Sequence, residues 1–234
     1  MAVKVKICGI TSPQQALLAQ DAGADALGLV IYQASSRCVD IERAIEIRET
    51  IRPGVLCVVL LVNASADFVQ QVISSVKPDL IQFHGNETGK FCRQFNFPYI
   101  RAIRMRDDLN INEEISQYSD STWLLFDAWN TNAYGGTGER FNWGRLPLTR
   151  DYPLILAGGL TPENVIEAIQ AVSPDMVDVS GGVEREPGIK DESKLRLFIE
   201  RVNPLPFLKC SCADKLGCED WQTDTRKQFL LLAN

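Results

Sequence analysis

Two side chains in this sequence have the type and setting that proton transfer needs. Cys8 ends a short apolar run and is followed by Gly9, and Asp127 closes the apolar stretch Leu124-Leu125-Phe126. A thiolate can accept a proton, and a carboxylic acid in a partly apolar setting can donate one. Brought to one rim, they would form a base-and-acid pair. Each also has a plainer explanation: most free cysteines are small buried hydrophobes, and an aspartate often caps a helix or pairs with a base. Arg37, behind Ser35-Ser36, offers a planar fork for a carboxylate, or else a surface ion pair. Gly158-Gly159 and Ser180-Gly181-Gly182 lack side chains that would keep an anion from backbone N–H groups, so beside helix N-termini they read as a phosphate nest. Tight turns would use the same glycines. His84, the only histidine, precedes Gly85 and reads as pocket-lining rather than as the base.

These residues need a frame that gathers them. Eight short apolar runs recur at residues 3–7, 26–31, 55–62, 80–83, 99–103, 123–126, 154–157 and 176–179. Their mean spacing of about 25 residues is close to a minimal βα unit. Between most of them lie helix-like stretches, such as Ser12-Pro13 with residues 14–20, residues 40–51 and 66–76, Thr161-Pro162-Glu163 with 164–172, and 190–202. The fifth and sixth crossovers look less helical, and 128–145 reads as a long loop with at most one short turn. Eight alternating units predict a closed parallel (βα)8 TIM barrel over residues 1–202, a single domain with a C-terminal extension at 203–234. An open doubly wound sheet is the alternative, but Cys8-Gly9-Ile10-Thr11 is not its Gly-x-Gly-x-x-Gly loop. In a barrel the strand C-termini carry the chemistry, and there Cys8, Arg37, His84, Asp127, Gly158, Gly159, Ser180, Gly181 and Gly182 all fall. A period of two turns Lys6 and Cys8 of the first strand inward together. Asp178 of the last strand, its neighbour in a closed barrel, also points inward, so a Lys6–Asp178 ion pair is expected. Positive charge beneath Cys8 is expected to lower its pKa.

Composition excludes other classes. The chain has 234 residues, 45% hydrophobic and 23% charged, with a net charge of −6. That balance is ordinary for a globular protein and offers no basic surface for nucleic acid. No apolar run approaches the ~20 residues that span a bilayer, and the start is not a signal-peptide core, so a soluble cytoplasmic protein is expected. Seven cysteines, an odd number, argue against a disulfide framework. Three of them, Cys210, Cys212 and Cys218, crowd the extension without a fourth zinc ligand. No metal or organic cofactor is expected.

The ordered series Lys6-Ile7-Cys8-Gly9-Ile10-Thr11, Gln82-Phe83-His84-Gly85-Asn86-Glu87, Leu125-Phe126-Asp127-Ala128, Gly135-Gly136-Thr137-Gly138, Ala157-Gly158-Gly159-Leu160-Thr161-Pro162-Glu163-Asn164-Val165 and Asp178-Val179-Ser180-Gly181-Gly182-Val183-Glu184, with Pro187-Gly188-Ile189-Lys190-Asp191, strongly resembles phosphoribosylanthranilate isomerase. The resemblance runs from residue 3 to about 200. It implies a (βα)8 barrel and an Amadori rearrangement of N-(5-phosphoribosyl)anthranilate in tryptophan biosynthesis. It casts Asp127 as the acid on the ribose ring oxygen, Cys8 as the base at C2′ and Arg37 as the carboxylate clamp. Gly158, Gly159, Ser180, Gly181 and Gly182 would hold the phosphate, and His84 and Gly136 would line the substrate site. The implied partner is this small molecule alone, with no nucleic acid and no membrane, in a monomer or homodimer. Two loops depart from the family pattern: the usual Ser-Pro-Arg reads Ser35-Ser36-Arg37, and the usual Ser-Ser-Gly reads Ser180-Gly181-Gly182. Another phosphate-binding barrel isomerase or epimerase, or a barrel that binds ligand without turnover, are the alternatives.

Overall fold

The strands are apolar on both faces because each is covered twice, by helices outside and by its fellows across the barrel inside. In the computed structural model, which describes residues 2–128, 141–147 and 149–203, eight parallel strands close in chain order. They are β1 (Lys4–Cys8), β2 (Ala26–Val30), β3 (Leu56–Leu61), β4 (Leu80–Phe83), β5 (Tyr99–Met105), β6 (Trp123–Ala128), β7 (Leu154–Leu156) and β8 (Met176–Val179). Closure is made by β1 against β8, with Lys6 opposite Asp178 and Ile7 opposite Val179. Every expected strand is present within a residue or two of its expected ends.

Alternation sorts the side chains. Val5, Ile7, Leu27, Leu29, Val59, Leu61, Phe126 and Val177 pack in the layer between sheet and helices. Ala26, Val58, Leu80, Ile100, Ala102, Leu125, Ile155 and Met176 fill the barrel interior. Fully burying one such aliphatic side chain contributes roughly 1.5–3 kcal/mol, and these two layers hold the scaffold rigid beneath its rim. At the opposite, N-terminal end, the residue before three of the strands is an aspartate. Asp25, Asp79 and Asp175 accept the N–H groups of Val5, Cys57 and Leu154 at 2.7, 2.7 and 2.8 Å. These contacts stitch neighbouring strands at the face that serves stability.

The helices start where their caps direct. Ser12 Oγ accepts from Gln15 N–H at 3.3 Å with Pro13 at the first helical position, opening α1 (Pro13–Ala22). Asp40, Ser65 and Asp191 likewise cap α2 (Ile41–Glu49), α3 (Ala66–Val76) and α7 (Glu192–Val202). The fourth crossover holds α4 (Gly89–Arg93). The fifth, read from sequence as weakly helical, carries α5 (Ile111–Gln117), and α6 (Val165–Val172) follows β7. Of the expected long loop, 129–140 lies outside the described residues; its end forms a single 3-10 turn, Trp143–Arg145. One correction concerns 190–202. Lys190 is not helical but belongs to a small antiparallel hairpin, β9 (Glu184–Glu186) and β10 (Ile189–Lys190), with Lys190 opposite Glu184. The helix begins two residues later because the Asp191 side chain caps it, accepting from Lys194 N–H at 2.9 Å.

Candidate active site

The C-terminal ends of the strands enclose a cleft of about 700 Å³, its open mouth included. Cys8, Arg37, His84, Asp127, Gly158, Gly159, Ser180, Gly181 and Gly182 all line it. Sequence reasoning thus placed nine residues from six strand ends around one space. Gly136 falls within 129–140, outside the described residues.

Cys8 is 6% exposed and packs against Val30, Leu60 and Val62, with Tyr32 closing over them. Beneath it Lys6, 0% exposed, donates to Asp178 Oδ1 at 2.9 Å, the expected ion pair. Burial pulls the Lys6 ammonium toward the neutral form, but Asp178 and then Cys8 outweigh it and hold its pKa above the ordinary value. The expectation for Cys8 itself is overturned. Burial drives its thiol pKa up, and although Lys6 and Lys190 oppose this, Asp178 adds to it, so the net direction is upward. Lys6 does pull the thiol down, as expected, and by more than Asp178 pushes it up, but enclosure by the apolar wall penalises a thiolate more than either.

Asp127 projects from β6 into the same cleft. Its Oδ1 accepts the Ala128 N–H at 2.8 Å, and its Oδ2 lies 3.2 Å from His84 Nε2, off the line of a hydrogen bond. The other imidazole nitrogen, Nδ1, is 2.8 Å from Gln82 Nε2. With the amide nitrogen donating to Nδ1, the imidazole carries its proton on Nε2, the nitrogen nearer Asp127. The loop that holds His84 is fixed from behind by a group the sequence reading missed. Arg101, 5% exposed, donates to Glu87 Oε2 at 2.9 Å and to Gly85 O at 3.0 Å, and lies over the Tyr118 ring. Glu87 also accepts from Asn63 N–H and Gly85 N–H at 2.6 and 2.8 Å, and Tyr118 Oη donates to its carbonyl at 2.8 Å. An arginine in the middle of a buried strand was the available signal, since such a charge has to be paired.

Opposite, Gly158 and Gly159 follow β7, and Asn164 ties their loop by donating to Gly159 O at 2.8 Å and accepting from Thr161 N–H at 2.9 Å. Ser180 leads into the 3-10 turn Gly181–Val183 after β8. Gly182 is required sterically, because a Cβ there would drive into the carbonyl oxygen of Leu160. Arg37 does form an ion pair, as the plainer reading allowed, but a mostly buried one rather than one on the surface. Its Nε and Nη2 grip Glu184 at 2.8 and 2.7 Å. Glu184 and Lys190 escaped the residue-level reading, although the Pro187-Gly188 turn between them puts them opposite one another in a hairpin.

The cleft gathers a thiol, a carboxyl, an arginine fork and two glycine-rich turns on one barrel rim. Residues 5–201 match the family model of N-(5′-phosphoribosyl)anthranilate (PRA) isomerase. The chain belongs to the phosphoribosylanthranilate isomerase family. It is 48% identical over 203 residues to the N-(5′-phosphoribosyl)anthranilate isomerase of Neisseria meningitidis serogroup B, covering 87% of this chain and 98% of that one. The counterpart from Alcanivorax borkumensis is 48% identical over 206 residues, covering 85% of this chain and 94% of that one. Among solved structures, the Thermotoga maritima phosphoribosyl anthranilate isomerase superposes with a TM-score of 0.80 at 35% identity, covering 87% of this chain and all of that one. A phosphoribosyl anthranilate isomerase in complex with reduced 1-(o-carboxyphenylamino)-1-deoxyribulose 5-phosphate superposes with a TM-score of 0.77 at 34% identity, with the same coverage. Within this phosphoribosylanthranilate isomerase fold, Ser36 and Gly181 fall in the loops after β2 and β8. Among the described residues, no helix is long and apolar enough to cross a membrane.

Proposed function

We propose that this chain performs the Amadori rearrangement of N-(5-phosphoribosyl)anthranilate to 1-(2-carboxyphenylamino)-1-deoxyribulose 5-phosphate, with Asp127 as acid and Cys8 as base. The observation that carries this reading is that, among the described residues lining the cleft, Cys8 is the one thiol and Asp127 the one carboxyl with no lysine or arginine partner, and they enter from strands β1 and β6. The phosphate is held at Gly158, Gly159, Ser180, Gly181 and Gly182, where backbone N–H groups can approach it. The anthranilate ring lies along Val30, Leu60, Val62 and Tyr32, with its carboxylate on Arg37. Protonated Asp127 gives its proton to the ribose ring oxygen as the C1′–O bond breaks, leaving an iminium at C1′. The Cys8 thiolate then takes the C2′ proton, and the electron pair of that C–H bond neutralises the iminium to give an enolamine. Loss of the O2′ proton and gain of one at C1′ gives the ketone. The Ala128 N–H, donating to Oδ1 at 2.8 Å, holds the Asp127 carboxyl turned toward the ring oxygen.

The test is turnover of N-(5-phosphoribosyl)anthranilate, followed by loss of its anthranilate-type fluorescence. No conversion at high enzyme concentration refutes the reading. Asp127→Asn and Cys8→Ser are each expected to lower kcat by about 10²–10⁴-fold with KM little changed, the signature of groups acting in the transition state. A Cys8→Ser enzyme with near-normal kcat would remove Cys8 as the base.

A further inference from the structure

Glu184 touches neither reacting atom in the scheme above, yet it is the junction of the rim. It lies with its side chain 4% exposed and accepts three charge-assisted hydrogen bonds: from Arg37 Nε at 2.8 Å, from Arg37 Nη2 at 2.7 Å and from Lys190 Nζ at 2.8 Å. Lys190, fully buried at its side chain, also donates to the carbonyls of Cys8 at 2.6 Å and Ser180 at 3.2 Å. One carboxylate therefore connects the arginine to the main chain at the end of β1 and at the turn after β8. Two cations share that single anion, so the group carries one positive charge in excess, which an incoming monoanion would neutralise. The seat is tight on the other side as well. Gly9 has φ +76°, and a Cβ there would lie 2.5 Å from Arg37 Cδ, so the arginine's stem runs directly over the glycine.

The pattern of donors sets which part of the guanidinium is left. Glu184 occupies the side edge made by Nε and Nη2. The end edge, Nη1 with the second Nη2 hydrogen, has no acceptor among the described residues, and Arg37 lines the cleft. A planar fork held in this way can accept a second carboxylate in two parallel hydrogen bonds. We propose that Glu184 is the positioning residue for carboxylate recognition: it fixes Arg37 so that its end edge faces the cleft, and through Lys190 it sets that edge at a defined place relative to Cys8 and the phosphate turn. The proposal rests on Arg37 being the anthranilate clamp, and it adds what holds the clamp.

The experiment compares N-(5-phosphoribosyl)anthranilate with N-(5-phosphoribosyl)aniline, which lacks the carboxylate, on wild type and Glu184→Gln. Glutamine keeps one acceptor oxygen, loses the charge and puts an NH2 donor where the second oxygen accepted, so the two-point grip on Arg37 is broken. The expected result is a KM for the anthranilate substrate raised at least tenfold in Glu184→Gln, with kcat within about threefold, and a KM for the aniline analogue that stays within twofold. A variant that raises both KM values alike, or neither, overturns the proposal, because a role in general loop structure would not distinguish the two substrates. If wild type itself fails to prefer the anthranilate substrate, Arg37 is not the clamp and the proposal falls with that reading. Should Glu184→Gln not fold, Glu184→Asp, which keeps the charge but shortens its reach, takes its place with the same readout.

Discussion

Replacing Lys6 with methionine removes a buried cation while keeping most of the side chain's volume. At 2.9 Å and an effective dielectric of about 20, the Lys6–Asp178 attraction is about 6 kcal/mol before desolvation is charged against it. What the substitution exposes is the other side of that balance. Asp178, only 8% exposed, would keep a carboxylate with its one ion-pair partner among the described residues gone. Orphaning one member of a buried pair costs about 3–5 kcal/mol, which for a protein of this size lowers Tm by roughly 6–20 °C. Urea titration at pH 7 measures it. Because Lys6 has a raised folded-state pKa, its contribution is complete below the ordinary value of 10.5 and is lost only as pH climbs through the folded value. The gap between wild type and Lys6→Met should therefore be full at neutral pH and narrow above 10.5. The companion variant Lys6→Met with Asp178→Leu removes both charges and should recover much of the loss. A Lys6→Met protein within 1 kcal/mol of wild type, or a double variant no more stable than the single one, would refute the account of this pair as a mutually dependent unit.

Three other outcomes follow from the rim. Because the thiol of Cys8 is pushed upward by burial and a base must be deprotonated, kcat should rise with pH through and above neutrality; a rate flat from pH 6 to 9 would contradict this. Gly182→Ala, whose new methyl meets the Leu160 carbonyl, should cost about 1–3 kcal/mol and raise KM, read by thermal unfolding and steady-state kinetics on the same preparation. Arg101→Met should destabilise by about 3–5 kcal/mol, since Glu87 would retain only backbone donors, and should lower kcat through the loosened His84 loop; an Arg101→Met enzyme of wild-type stability would show that this network is idle.

What the sequence disclosed depended on how local the determinant was. The strands were legible because parallel strands covered on both faces must be apolar, and Ser12-Pro13 announced α1 by itself. The Lys6–Asp178 pair was also legible, though 172 residues separate its members, because strand alternation plus closure fixes both directions. The hairpin at Glu184–Glu186 and Ile189–Lys190 was not, since six polar and turn residues around a single isoleucine carry no apolar period. The partner in the Arg37 ion pair was not legible either, because Glu184, 147 residues away, sits in that hairpin. The direction of the Cys8 shift was misjudged for a related reason. The cation on its own strand was visible in sequence, whereas the enclosing wall of Val30, Leu60 and Val62 comes from two other strands.

The hydrogen bond from Lys190 to the carbonyl of Cys8 spans 182 residues, nearly the whole barrel. Within the barrel, the residue read as the base is thus synthesised well before the lysine that anchors its main chain. At about 5–20 residues per second of synthesis, Cys8 waits roughly 10–40 s for that anchor. Activity on this scaffold is consequently a report on completion: a chain truncated before residue 190 has every strand of the barrel, and yet lacks the group that fastens its first strand to its last loop.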